Sequence, residues 1–229
     1  MTSVYKTHLK RITQLSPLYY ECVFEKPVGF TYQAGQYCEL GTIDDSLFRP
    51  FSIASAPHED ELVFHIKKND NPKSLSHQLI IAGASSEKTY MIKPAQGNMC
   101  YNSSQDPLIF IAGGVGFAPF YAILKSLHHT NQTKRPIAFY WECKSEDDFY
   151  HKEALETLLA DFENSALTTT ISAHKTTAGA VIEDFNTLSD CDIYIAGSPD
   201  MAFKTIDLLK TIGLEDTRLY CDYIQNHKL

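Results

Sequence analysis

The chain has no CxxC pair, no HxH or HExxH pair, no GxSxG and no GxGxxG. Each absence excludes one kind of chemistry. The cysteines, at 22, 38, 100, 143, 191 and 221, are scattered through 229 residues. That leaves neither a sequence-local zinc site nor the C-x4-C-x2-C spacing of a plant-type iron–sulfur cluster. Isolated thiols point to a reduced, cytoplasmic protein. The histidines show no ligand spacing, so no metal is expected, and without GxSxG no Ser/His/Asp triad is indicated. The one uncharged span near bilayer length, 107–124, carries three glycines and a proline in its middle, so it reads as strand, turn and helix rather than a membrane crossing. The N-terminus has charge but no apolar run of the kind a secretory leader needs. A formal charge of −8 argues against nucleic acid or an anionic membrane as partner; it is also what solubility alone requires.

What is present follows two grammars. Up to about residue 101, short runs rich in β-branched and aromatic residues alternate with turn formers: "YKTHLKRITQL", "YECVFEK", "GQYCEL", "RPFSIAS", "ELVFHIKK" and "TYMIKPA". About six strands at this spacing suggest a small antiparallel barrel or sandwich. One helical piece, "SLSHQLIIAG", is capped by Ser74 and ends at Gly83. From residue 105 strands and helices alternate, beginning with the continuous apolar run "PLIFIA" and ending with a strand "TRLYCDY". That order predicts a doubly wound parallel sheet. A β domain over 1–101 and an α/β domain over 102–229 follow, with "NSSQDP" (102–107) as the hinge.

Four stretches carry candidate chemistry. In "IAGGVGFAP" (111–119), Gly113, Gly114, Val115 and Gly116 stand between a strand and a helix, with Pro119 placed to open the helix. Such a turn lets backbone approach a phosphate or a nicotinamide nucleotide at a positive helix end; a tight turn without ligand fits the same letters. "IYIAGSPDM" (193–201) repeats the logic with Gly197 at the turn, Ser198 as N-cap and Pro199 at N1. In "YWECKSEDDFY" (140–150), Lys144 suits a ribose or phosphate, the acidic run suits a helix start, and Trp141 suits the core. In "FRPFSIASAP" (48–57), Arg49 offers a bidentate cation, Phe51 a stacking face and Ser52 one hydrogen bond. Strand alternation sets Arg49 and Phe51 on one face and Ser52 on the other. For all to meet one ligand the strand must end or bend there, which Pro50 favours.

Taken in order, "RPFSIAS", "IFIAGGVGF", "FYWECKSEDDFY" and "DIYIAGSPDM" resemble the ferredoxin–NADP+ reductase superfamily, and most of all the bacterial NAD(P)H:flavin oxidoreductases. The resemblance covers nearly the whole chain. It implies that Arg49 meets the ribityl chain or phosphate of a flavin, that Phe51 stacks along the isoalloxazine, with Pro50 beside it, and that Ser52 hydrogen-bonds near N5 as the catalytic contact. It implies that Gly113–Gly116 border nicotinamide and pyrophosphate, with Gly197, Ser198 and Pro199 lining the same cleft and Met201 behind. Tightly flavinylated members grip the FAD pyrophosphate with a glycine and Ser/Thr loop; here Lys67 and Ser74 stand in its place. Tyr223 would cap the ring. The family's cleft cysteine is Ala196 here, and its Gly-Arg pair is Cys143 and Lys144. These departures favour FAD, FMN or riboflavin entering and leaving as a substrate, with NADH or NADPH as hydride source. The alternative is a bound-FAD subunit passing electrons to a ferredoxin, oxygenase or dehydratase partner.

Overall fold

The computed structural model describes residues 4–43, 48–82, 88–131 and 134–225. Six antiparallel strands form the first sheet: β1 (Tyr5–Gln14), β2 (Tyr19–Glu25), β3 (Tyr37–Thr42), β4 (Arg49–Ser52), β5 (Glu61–Lys67) and β6 (Thr89–Ile92), in the order β4-β3-β6-β1-β2-β5. Its two edges meet. Ala54 N donates to Val63 O at 2.8 Å, and Ile53 bridges Phe64, so the two edges join at this point and the sheet closes into a barrel. Alternate side chains turn inward, where Phe24 meets Phe64 and Tyr90 edge-on at 5.6 and 5.3 Å. Helix α1 (Leu75–Ala82) plugs one side with Leu79, and the Ser74 hydroxyl caps it by accepting from His77 N. The expected terminator, Gly83, lies outside the described residues.

The second sheet is parallel: β7 (Leu108–Gly113), β8 (Ile137–Cys143), β9 (Ser165–Ile171), β10 (Asp192–Ala196) and β11 (Leu219–Tyr220), ordered β11-β10-β7-β8-β9. The central strand β7 is apolar throughout because both its faces are covered. Phe110 looks toward α2 (Phe117–Thr130) and α3 (Lys152–Ala160); Ile109 and Ile111 look toward α4 (Thr177–Asp184) and α5 (Pro199–Lys210). Strand order reverses between β7 and β10, so a crevice opens at their carboxyl ends, Gly113 and Ala196.

Three details differ from the sequence reading. Helix α2 starts at Phe117, directly after a 3-10 turn at Gly114–Gly116, so Pro119 is its third residue and not its first; no hydrogen bond is lost, since the first-turn N–H groups have no intrahelical partner. The last strand stops at Tyr220, and Asp222–Gln225 form a short helix, α6, instead. The supposed hinge is pinned. Arg135 and Asp192 pair at 2.5 Å with side chains 2% and 5% exposed, Arg135 also donates to Asn102 O, and Ser104 donates to Asp192. A buried pair with its remaining donors satisfied holds the crossing segment in one place.

Candidate functional site

Two cavities open along the seam between the barrel and the parallel sheet. The first, about 270 Å3, is walled by Pro50, Phe51 and Ser52 from β4 and by Val115, Gly116, Ala196 and Gly197 from the switch point. The second, about 260 Å3, is bordered by Gly113, Gly114, Lys144, Ser198 and Met201, with Lys67 reaching in from β5. Val115 and Gly197 belong to both. Neither cavity alone reaches the roughly 300 Å3 at which ligand pockets begin; joined, they do.

Local chemistry shapes each wall. Strand β4 ends at Ser52, so strict alternation stops there and Ser52 joins Phe51 and Pro50 around one space. The Gly114 bend is held from above: Trp141 Nε1 donates to Gly114 O at 3.0 Å while its ring stacks on Phe117 at 4.3 Å and 12°. Gly114 has φ +53, and a Cβ there would lie 2.7 Å from the Tyr19 hydroxyl. A Cβ on Gly197 would lie 2.9 Å from Met201 Sδ. Both glycines are therefore demanded by close packing against Tyr19 and Met201, which keeps the backbone of the bend at the wall of the second cavity. Ser198 caps α5 by accepting from Met201 N, with Pro199 at the first helical position.

The remaining sequence candidates fall as follows. Arg49 is exposed at the rim, donates to Phe48 O at 3.0 Å, and lines neither cavity. Ser74 caps α1 and Pro199 opens α5, both away from the lining. Lys67 stands with Lys144 in the second cavity, not with the β4 residues in the first. Glu142 lines the same cavity, and its Oε2 accepts from Thr177 N at 2.9 Å. Tyr223 lines the first cavity, and its hydroxyl donates to Gly197 O at 2.8 Å. Cys143 borders the second cavity as a neutral thiol, its pKa pushed up to about 12 by burial and the Asp148 charge.

Asp222 was missed by sequence reasoning because "LYCDY" reads as strand. In α6 it lines the first cavity with Oδ1 unpartnered, and burial raises its pKa from 3.8 to about 6, partly opposed by a hydrogen bond from the Asn98 backbone. The folded state thus holds a proton that the unfolded chain releases between about pH 4 and 6, so this group's contribution to stability falls as pH rises through that window. Asp222→Asn is expected to raise the thermal midpoint at pH 8 and to change it little at pH 4.5. Melting curves at the two pH values check this, and an equal change at both would count against a perturbed carboxyl.

This is the architecture of an oxidoreductase that brings a flavin and a nicotinamide together across a domain seam. The oxidoreductase NAD-binding domain family matches residues 110–206, and the FAD-binding domain family matches residues 9–137. A probable flavin reductase of Photobacterium leiognathi is 29% identical over 90% of this chain and 92% of its own. The NAD(P)H-flavin reductase of Vibrio harveyi is 33% identical over 78% of this chain and 79% of its own. Among solved structures, ferredoxin–NADP+ reductase from Plasmodium falciparum superposes with a TM-score of 0.82 at 20% identity, covering 95% of each chain. The chain belongs to the ferredoxin–NADP+ reductase superfamily, and within it to the flavin-reductase-like oxidoreductases. Its cofactors are accordingly a flavin and NAD(P)H. No described helix is long and apolar enough to cross a membrane.

Proposed function

We propose that the chain is a cytoplasmic NAD(P)H-dependent flavin reductase that moves a hydride from nicotinamide C4 to flavin N5 and releases the reduced flavin. The observation that carries this reading is the shared wall. Val115 and Gly197 border both cavities, so the two spaces adjoin, which supports a ring in one within reach of a ring in the other. The flavin supplies the electron-accepting ring; the protein supplies contact geometry and polarity. Phe51 offers a half-buried aromatic face beside the first cavity. Ser52 offers one hydroxyl to the ring edge. The bend at Gly114–Gly116 leaves Val115 as its only side chain beside the second ring, and Lys67 and Lys144 bring positive charge to the same cavity for the phosphates of a dinucleotide.

Release is supported by where the described candidate clamps lie. Lys67 lies in the other space and Ser74 is used as a helix cap, so neither clamps a pyrophosphate beside Phe51. Ala196 at the cavity wall adds no thiol. The second reading, a bound-FAD subunit serving a ferredoxin, oxygenase or dehydratase, draws on the fold shared with ferredoxin–NADP+ reductase. A steady-state assay crossing NADH and NADPH with riboflavin, FMN and FAD separates the two, run beside a spectrum of the isolated protein. Turnover of added flavin by a colourless protein is the expected result. Stoichiometric yellow flavin surviving dialysis, with electrons passing only to a protein acceptor, would establish the second reading instead.

Phe51→Ala is expected to raise the flavin KM by about 2- to 10-fold, the equivalent of losing about 0.5–1.5 kcal/mol of stacking. Its circular dichroism should match the parent, because Phe51 touches the barrel core only edge-on, 6.3 Å from Phe64. An unchanged KM would remove Phe51 from the flavin site.

A further inference from the structure

Strand β5 has two faces with two destinations. Leu62, Phe64 and Ile66 enter the barrel core, which turns His65 outward against the parallel-sheet domain. There its ring lies parallel to Phe117 at 6.0 Å and edge-on to Tyr150 at 5.2 Å. The side chain is buried, yet Nδ1 has no hydrogen-bond partner. His65 also lines the first cavity; an orphaned buried imidazole nitrogen is costly in a native fold and calls for a partner from outside the chain.

Two further donors converge on that ring. Glu21 from β2 and His151 from the start of α3 each offer one atom, and the three donor atoms lie within 4.8 Å of one another. Glu21 and His151 already approach at 3.7 Å, with side chains only 22% and 29% exposed. Lys125 and Arg11 are the nearby cations; Lys125 is engaged with Glu59 at 2.6 Å and Arg11 reaches Glu21 only at 3.9 Å.

We propose that Glu21, His65 and His151 form a binding site for a first-row divalent transition cation, zinc foremost, that clips the barrel to the nucleotide-binding domain. Two imidazoles and one carboxylate are the donor set such cations favour, with a fourth position left for solvent. Around zinc at about 2.0–2.1 Å, tetrahedral ligands stand about 3.3 Å apart. The widest separation, at most 4.8 Å, closes by roughly 1.5 Å. Rotation of the two partly exposed side chains around the fixed His65 ring supplies that movement.

The test uses the whole chain, stripped with a chelator and gel-filtered, and titrated with ZnCl2 while its thermal midpoint is followed. One equivalent should raise the midpoint, whereas Mg2+ and Ca2+ should not. His151→Asn and Glu21→Gln should each weaken zinc binding by about 10-fold or more while leaving the metal-free midpoint close to the parent. Asparagine is chosen at 151 because His151 sits at φ 59, a left-handed conformation that Asn tolerates. Cobalt substitution should give visible d–d bands without thiolate charge transfer. Zinc that leaves the parent midpoint unmoved overturns the proposal. So does zinc that binds both variants as tightly as the parent, or a thiolate band that assigns the metal to cysteine.

Discussion

Gly116→Ala is expected to abolish flavin turnover and to lower the thermal midpoint by about 6–12 °C. A Cβ at this position would stand 2.1 Å from Ala196 O, 2.4 Å from Ala196 C and 2.8 Å from Gly197 N. All three are backbone atoms, so no side-chain rotation relieves the contact. Either the 3-10 turn or the end of β10 must move, and both carry the wall that the two cavities share. Overpacking typically costs up to about 3 kcal/mol, and a clash with backbone alone falls at that end; in a chain of this size each kcal/mol shifts the midpoint by about 2–4 °C. Gly179→Ala is the matched control. Its Cβ would meet only Thr176 Oγ1 at an ordinary 3.4 Å, within α4, where alanine is the better helix former by up to about 1 kcal/mol. Melting curves and kcat/KM for the pair decide the matter. Similar losses in both variants would mean that the backbone approach at the switch point is not the cause.

Ser52→Ala is the second large effect. It should lower kcat by about 10- to 100-fold while leaving both KM values within about 2-fold. Ser52 is the last residue of β4, paired across the ladder with Tyr37 and bordering the first cavity. Its removal leaves the strand register intact and deletes only a hydroxyl. In the reaction proposed above, the Ser52 hydroxyl would bond more strongly as N5 accepts the hydride, and a contact made stronger in the transition state than in bound substrate is lost from kcat. Ser52→Thr keeps the hydroxyl and should recover most of the rate. A change confined to KM would make Ser52 a ground-state contact and withdraw it from the chemistry.

The barrel strands were legible because each apolar run is bounded by turn formers, and the parallel sheet because "PLIFIA" and "DIYIAG" are too apolar for any strand with an open face. The glycine bend was legible for a similar reason: strand, three glycines and helix in succession admit few structures. What escaped was tertiary. The alternation of "ELVFHIKK" gives Lys67 and His65 a common face but not which cavity each reaches: His65 lines the first with Phe51, Lys67 the second with Lys144. Trp141 was read as core; its ring is, but its N–H also fixes Gly114. "LYCDY" has strand composition and continues as helix, which hid Asp222. Three donors from β2, β5 and α3 carry no local spacing at all, so an absent HxH pair says nothing about them.

The Arg135–Asp192 pair anchors the crossing chain at the amino ends of the parallel strands, the pole opposite Gly113 and Gly197. The lobes are joined elsewhere too: Lys125 pairs with Glu59 at 2.6 Å, and Tyr19, on the wall of the second cavity, packs against Tyr150 at 5.1 Å. The seam is therefore fastened at several points, so a guest meets a slot whose width the protein's own packing has already set.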